Sequence, residues 1–174
     1  LPSPWAENNR IADEANTPGV FTAFVGFEWS SMPDGNNLHR VVVLRDGADR
    51  ADQVTPFSAF DSDDPEALWR YLSDYEDSNL SGGLMFAPTD SSGAAMNADY
   101  ARERLRWEPL IEVTQIKGDS EAHPLLSPTD EFADYGTWDQ FNIDMSEAQQ
   151  DNMQRYQYAR PALQLGLKLE QQLG

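Results

Sequence analysis

Cysteine is absent from the 174 residues. That excludes disulfides and thiolate metal sites, and it leaves the redox compartment unreadable. Basic residues are scarce: 12 Lys and Arg stand against 30 Asp and Glu, a formal net charge of -18. Nucleic-acid binders need Lys and Arg to displace counterions, so the balance argues against that class. It argues equally against docking on an anionic membrane surface. No apolar run approaches the ~18 residues of a membrane span, and no segment has the build of a signal peptide. The chain opens Leu1-Pro2 rather than with Met, so it reads as a processed product or an excerpt, and the missing leader says little about export. Also missing are a His-x-His pair, a Gly-rich phosphate loop, a Gly-x-Ser-x-Gly elbow and a His-Glu-x-x-His helix.

What remains suits one ordinary domain. The chain is 40% hydrophobic with 5 Trp, 8 Phe and 6 Tyr, enough to bury a core. The acidity reads first as a solvated surface, with cation binding or a saline habitat as alternatives.

Trp5 to Ala15 has the pattern of a short amphipathic helix, broken by Pro18-Gly19. Val20 to Phe27 is rich in aromatic and β-branched residues and reads as a strand. Val41-Val42-Val43-Leu44, within Arg40 to Leu44, fits a strand buried on both faces. Asp64 as N-cap and Pro65 at the first helical position start a helix whose apolar face is Leu68, Trp69, Leu72 and Tyr75. A Gly- and Ser-rich connection follows from Asp77 to Gly93, then a helix from Asn97 to Trp107 and an apolar strand from Leu110 to Ile116. Ser146 and Glu147 begin a last helical region with Tyr158, Ala162, Leu165, Leu169 and Leu173 as its stripe, and Pro161 kinks it or starts its second half. Helices alternating with buried strands favour an α/β fold with parallel pairing.

Polar chemistry concentrates in two runs, each holding one of the two histidines. Glu28 follows the first strand and either emerges into solvent or requires a partner or metal. His39 lies between an Asn-rich loop and a buried strand, as a structural imidazole or as a ligand to metal or substrate. Lys117, Asp119, Glu121 and His123 share one loop at the end of the Leu110–Ile116 strand. Carboxylates with an imidazole suit a divalent cation, and Lys117 suits an anionic substrate such as phosphate. The same residues also fit a capped polar turn. Asn79 to Phe86 contains adjacent glycines that allow close backbone approach to a ligand, or simply a surface loop. Trp69, Trp107, Trp138 and Tyr156 read as core.

Several runs recur together in one bacterial family. They are Phe24-Val25-Gly26-Phe27-Glu28-Trp29-Ser30, Gly35-Asn36-Asn37-Leu38-His39-Arg40, Arg45-Asp46-Gly47-Ala48, Asn79-Leu80-Ser81, Trp107-Glu108-Pro109-Leu110 and Gln115 to Pro124. From about Trp5 to Gly174 the chain resembles a large family of unknown function, mostly exported or lipid-anchored. That family is distantly similar to the PHP (polymerase and histidinol phosphatase) metal-dependent phosphoesterases. The resemblance implies a distorted, TIM-type β/α barrel with Zn, Mn or Fe at the C-terminal strand ends. It implies a metal-bound water acting on a phosphoester of a small molecule, and an extracytoplasmic location. Gly26-Phe27-Glu28 matches the Gly-x-Glu motif that supplies a bridging carboxylate. Glu28, His39 and His123 are then the implied metal ligands. Asp119 and Glu121 are the candidates for orienting a ligating His, and Lys117 and Asn79 the substrate contacts. The resemblance also implies departures. The N-terminal His-x-His and the terminal Asp-x-His are absent, and a strand ending in Pro-His-Asn is missing near 77–78. Residues 1–174 therefore read as a single, incomplete PHP-like domain with a deletion at that point. The alternative is a non-catalytic binding or structural module of a larger assembly.

Overall fold

The computed structural model describes residues 2–75, 78–82, 94–116 and 118–173, with residues 78–82 described by their backbone alone. Ser3 caps the first helix, α1 (Pro4–Ala15), by accepting from the Ala6 N–H at 3.1 Å, with proline in the first turn where no donor is lost. Strands β1 (Val25–Trp29) and β2 (Arg40–Leu44) follow, separated by a loop with a single 3₁₀ turn at Pro33–Gly35. A one-turn helix, α2 (Ala48–Ala51), leads on to α3 (Pro65–Tyr75). The Asp64 carboxylate accepts the Glu66 N–H at 2.9 Å, the cap expected from the Asp-Pro pair. Then come β3 (Ser78–Gly82), α4 (Ala98–Trp107) capped by Asn97, and the two-residue strands β4 (Leu110–Ile111), β5 (Thr114–Gln115) and β6 (Gly118–Asp119). Helix α5 (Ala159–Leu173) is the last described element.

The strands make a four-stranded sheet in the order β1-β2-β3-β4 and a separate hairpin of β5 and β6. The expected parallel pairing is corrected here. β1 pairs antiparallel with β2, and β2 antiparallel with β3, while β3 and β4 are parallel. No helix crosses between β1 and β2, and a loop connection of that length returns the chain antiparallel. Among the described residues neither sheet closes on itself.

Four further expectations change in detail. β1 starts at Val25 rather than Val20, because the chain at Thr17–Phe21 is taken up by its own turn, leaving Val20 and Phe21 exposed. β2 is buried on one face only: Val42 and Leu44 point inward while Val41 is exposed, the alternation of an antiparallel strand. The Leu110–Ile116 run is not one buried strand. It splits between β4 and β5, and Leu110 and Ile116 face solvent. Ser78–Gly82, read as part of a loop, pairs with β2, and residues 83–93 lie outside the described residues.

The core lies where α3 covers the sheet. Leu68, Trp69 and Leu72 pack with Val25, Trp29, Val42, Leu44 and Trp107, all essentially buried. Burial of each such side chain contributes roughly 1.5–3 kcal/mol. Trp29 satisfies its indole N–H on the Ser62 carbonyl at 3.1 Å. The expected core positions Trp69 and Trp107 are buried, whereas Trp138 is half-exposed. The last helix does not begin at Ser146: α5 starts at Ala159, with Pro161 in its first turn, where the missing N–H costs no helical bond.

Candidate functional site

Register brings the first two candidates together. Trp29 pairs with Arg40 across β1 and β2, which sets Glu28 beside the residue that enters β2, His39. The His39 Nδ1 lies 2.9 Å from the Glu28 Oε1. Its ring is largely buried, while the carboxylate is half-exposed. The backbone around His39 is held firmly: its N–H donates to Asn37 Oδ1 at 3.0 Å, and Arg40 Nη1 donates to the Leu38 and His39 carbonyls at 2.8 and 3.1 Å.

Arg40 is itself fixed from below. Its Nε donates to Glu108 Oε1 at 2.8 Å, Arg104 Nε donates to Glu108 Oε2 at 3.0 Å, and the Trp69 indole N–H donates to Oε1 at 3.2 Å. Arg40 and Glu108 are almost completely buried. Burial opposes ionisation of Glu108. The Arg40 and Arg104 guanidiniums beside it outweigh that and hold its carboxyl below the usual carboxylate range.

His123 is arranged differently. It is 5% exposed. Its Nδ1 accepts the Leu125 N–H at 3.3 Å, so Nε2 carries the proton and donates to Asp139 Oδ2 at 3.0 Å. Both ring nitrogens are therefore engaged within the chain, and the ring rests 5.2 Å from that of Tyr158. Glu121 is engaged as well, by Arg160 at 2.7 Å, which also reaches Asp130 at 2.6 Å. Asp119 stands on β6, where its backbone N–H donates to the Gly136 carbonyl at 2.8 Å and its carboxylate accepts the Glu121 N–H at 3.2 Å. Lys117 lies outside the described residues, and so does the side chain of Asn79, whose backbone pairs with Val43.

Glu28 and His39 are thus in contact, while His123 is bound up with Asp139. Among the described residues no three His, Asp or Glu side chains gather in a group able to hold a metal ion. Glu28 and His39 offer donors of the kinds a borderline divalent cation takes, but the described residues add no third beside them.

The two sequence runs do share a cavity of about 230 Å³. Asn36 and Asn37 line it from the loop before His39, and Gly118, Asp119 and Ser120 line it from the β5–β6 hairpin. The segment 137–149 closes it: Ile143 N–H donates to the Gly35 carbonyl at 3.0 Å and Asn142 Nδ2 to the Asp34 carbonyl at 3.3 Å. Tyr158 forms part of the wall; burial first, then the Asp139 and Asp119 charges, push its phenol up to about 12, so it stays a donor at neutral pH.

Asp139, Tyr158, Trp138 and the Arg40–Glu108 pair were not singled out as site residues from the sequence. Tyr158 was hidden in a helical stripe and Trp138 looked like core. An acid flanked by Trp107 and Pro109 was the one available signal for a buried charge.

The fold and these contacts define a mixed α/β protein with a carboxylate–imidazole pair at the β1–β2 edge and a cavity lined in part by amide, hydroxyl and carboxylate residues from the neighbouring loop and the β5–β6 hairpin. It belongs to the DUF3604 family, described as proteins of unknown function, whose family model matches residues 2–174. No curated protein and no solved structure matches the chain. Among the described residues no helix is long and apolar enough to cross a membrane.

Proposed function

We propose that the chain is part of a metal-dependent hydrolase acting on a small-molecule phosphoester. Glu28 and His39 supply two ligands to Zn, Mn or Fe within a PHP-like barrel. The 2.9 Å contact between these side chains, eleven positions apart in the chain, is the observation that carries the reading. A cation held there supplies Lewis acidity and a water of lowered pKa. Arg40 and Glu108 fix the backbone that presents His39. Asp119, with no cation partner among the described residues, is better suited than Glu121 to orient a ligand. His123 joins a metal only by giving up Asp139 or the Leu125 N–H. Lys117 and Asn79 remain the proposed substrate contacts, and the location is the periplasm or a lipid anchor outside the cytoplasm.

The test is elemental analysis of the full-length protein after loading with Zn or Mn and desalting, alongside p-nitrophenyl phosphate hydrolysis. Glu28→Gln and His39→Ala should each lower retained metal about tenfold or more, with hydrolysis falling in step. Unchanged metal content in Glu28→Gln defeats the assignment. The second reading, a non-catalytic binding module of a larger assembly, is favoured by the doubly bonded His123 ring. It gains if the loaded protein retains metal and hydrolyses nothing.

A further inference from the structure

We infer that the cavity between the Asn36-Asn37 loop and the β5–β6 hairpin binds a neutral, hydroxyl-rich ring the size of a single sugar. At about 230 Å³ it falls below the roughly 300 Å³ at which drug-sized pockets begin, so one small ring fills it. The wall chemistry selects among small rings. Asn37, Gln115 and Gln157 contribute carboxamides, Ser120 and Tyr158 hydroxyls, and Asp119 a carboxylate. No Lys or Arg lines it among the described residues. Among the described residues a phosphate or carboxylate ligand would face Asp119 with no compensating cation, whereas hydroxyl groups both donate to the carboxylate and accept from the amides.

These groups are not consumed internally. Among the described residues the Gln115 and Gln157 amides, the Asn37 Nδ2, the Ser120 hydroxyl and the Tyr158 hydroxyl make no hydrogen bond, while Tyr158 itself is 2% exposed. Tyr158 lines the cavity, and its hydroxyl can donate to a ligand or accept from one. Trp138 adds an apolar platform. Its indole N–H is tied to the Phe141 carbonyl at 2.8 Å, so the ring is held while about half of the residue stays open to solvent. An aromatic face meeting C–H groups, with amides and a carboxylate at the ring's edge, matches a pyranose or cyclitol. The inference needs no metal and stands apart from the hydrolase reading.

The test uses the full chain stripped of metal with a chelator. Saturation-transfer NMR and calorimetry are run against glucose, galactose, mannose and myo-inositol, with glucose 6-phosphate and inorganic phosphate as the charged set. At least one neutral ring should bind, and inorganic phosphate should not compete with it. Trp138→Ala should weaken that binding about tenfold, and so should Gln157→Ala. Tyr158→Phe, which keeps the ring packed on His123, should weaken it with little change in melting temperature. Failure of all four neutral rings to bind overturns the inference. So does competition by inorganic phosphate, or binding indifferent to Trp138→Ala.

Discussion

Arg40 and Glu108 show how a single buried charge pair reaches the candidate site. Each is nearly completely buried, and the pair lasts there because every charged group has partners: Glu108 accepts from two guanidiniums and an indole. A pair so buried is weak evidence of net stabilisation, but removing one partner leaves the other uncompensated. Glu108→Gln should therefore cost about 3–5 kcal/mol at neutral pH, read by urea unfolding. The pH dependence has a defined sign. Glu108 has a depressed folded pKa, so its contribution is present above the ordinary carboxylate value of 4.5 and is lost as pH falls below it. The gap between wild type and variant should narrow on acidification below that point. A gap constant from pH 7 to 3 would mean that the carboxylate charge contributes nothing. Arg40 also carries the His39 carbonyl, so the same variant should lower metal retention at a site it does not touch.

At the scale of elements, loops set the site and helices set the core, and that division explains what was legible. Helices α1, α3 and α4 were readable within a residue or two, because caps and apolar stripes are local signals: Asp64 before Pro65, and Asn97 before Ala98. β2 was readable as well, from its valines. Its partners were not, because pairing direction depends on contacts between distant segments, and the β5–β6 hairpin follows from tertiary contact with Gly136 rather than from propensity. The Glu28–His39 meeting was implied by the family resemblance of Gly26-Phe27-Glu28 and Asn37-Leu38-His39-Arg40 alone, not by any pairing read from the strands. The pairing of His123 with Asp139 was not, since nothing in a lone acid sixteen residues away announces it. Gly35 tests the loop argument. It has φ +74, and a Cβ there would collide with the Asp144 and Asn142 side chains. Gly35→Ala should thus cost about 1–3 kcal/mol and loosen the 137–149 segment from the Asn36-Asn37 loop. Thermal melts should fall, and amide exchange at Ile143, bonded to the Gly35 carbonyl, should quicken. Unchanged exchange there would separate the loop from the segment that closes the cavity.

At the scale of the whole molecule, charge is the dominant unbalanced term. Thirty acids against twelve bases make like-charge pairs outnumber attractive ones and leave a large net negative charge. The exposed attractive pairs, such as Arg10 with Glu7 and Arg102 with Asp99, are screened by water and contribute little. Repulsion in the compact state therefore exceeds local attraction, and screening should stabilise the fold. Raising NaCl from ~0.01 M to ~1 M shortens the Debye length from ~30 Å to ~3 Å. The melting temperature should climb by a few degrees, since about 1 kcal/mol corresponds to roughly 2–4 °C in this size range. A fall would mean that the ion pairs outweigh the repulsion. The identity of the salt then separates screening from a specific site. Tetramethylammonium chloride, too bulky for a carboxylate–imidazole pocket, should match NaCl if the effect is diffuse. Mn at concentrations too low to change ionic strength should add a further rise only through a saturable site, and that increment should vanish in Glu28→Gln while the NaCl response persists.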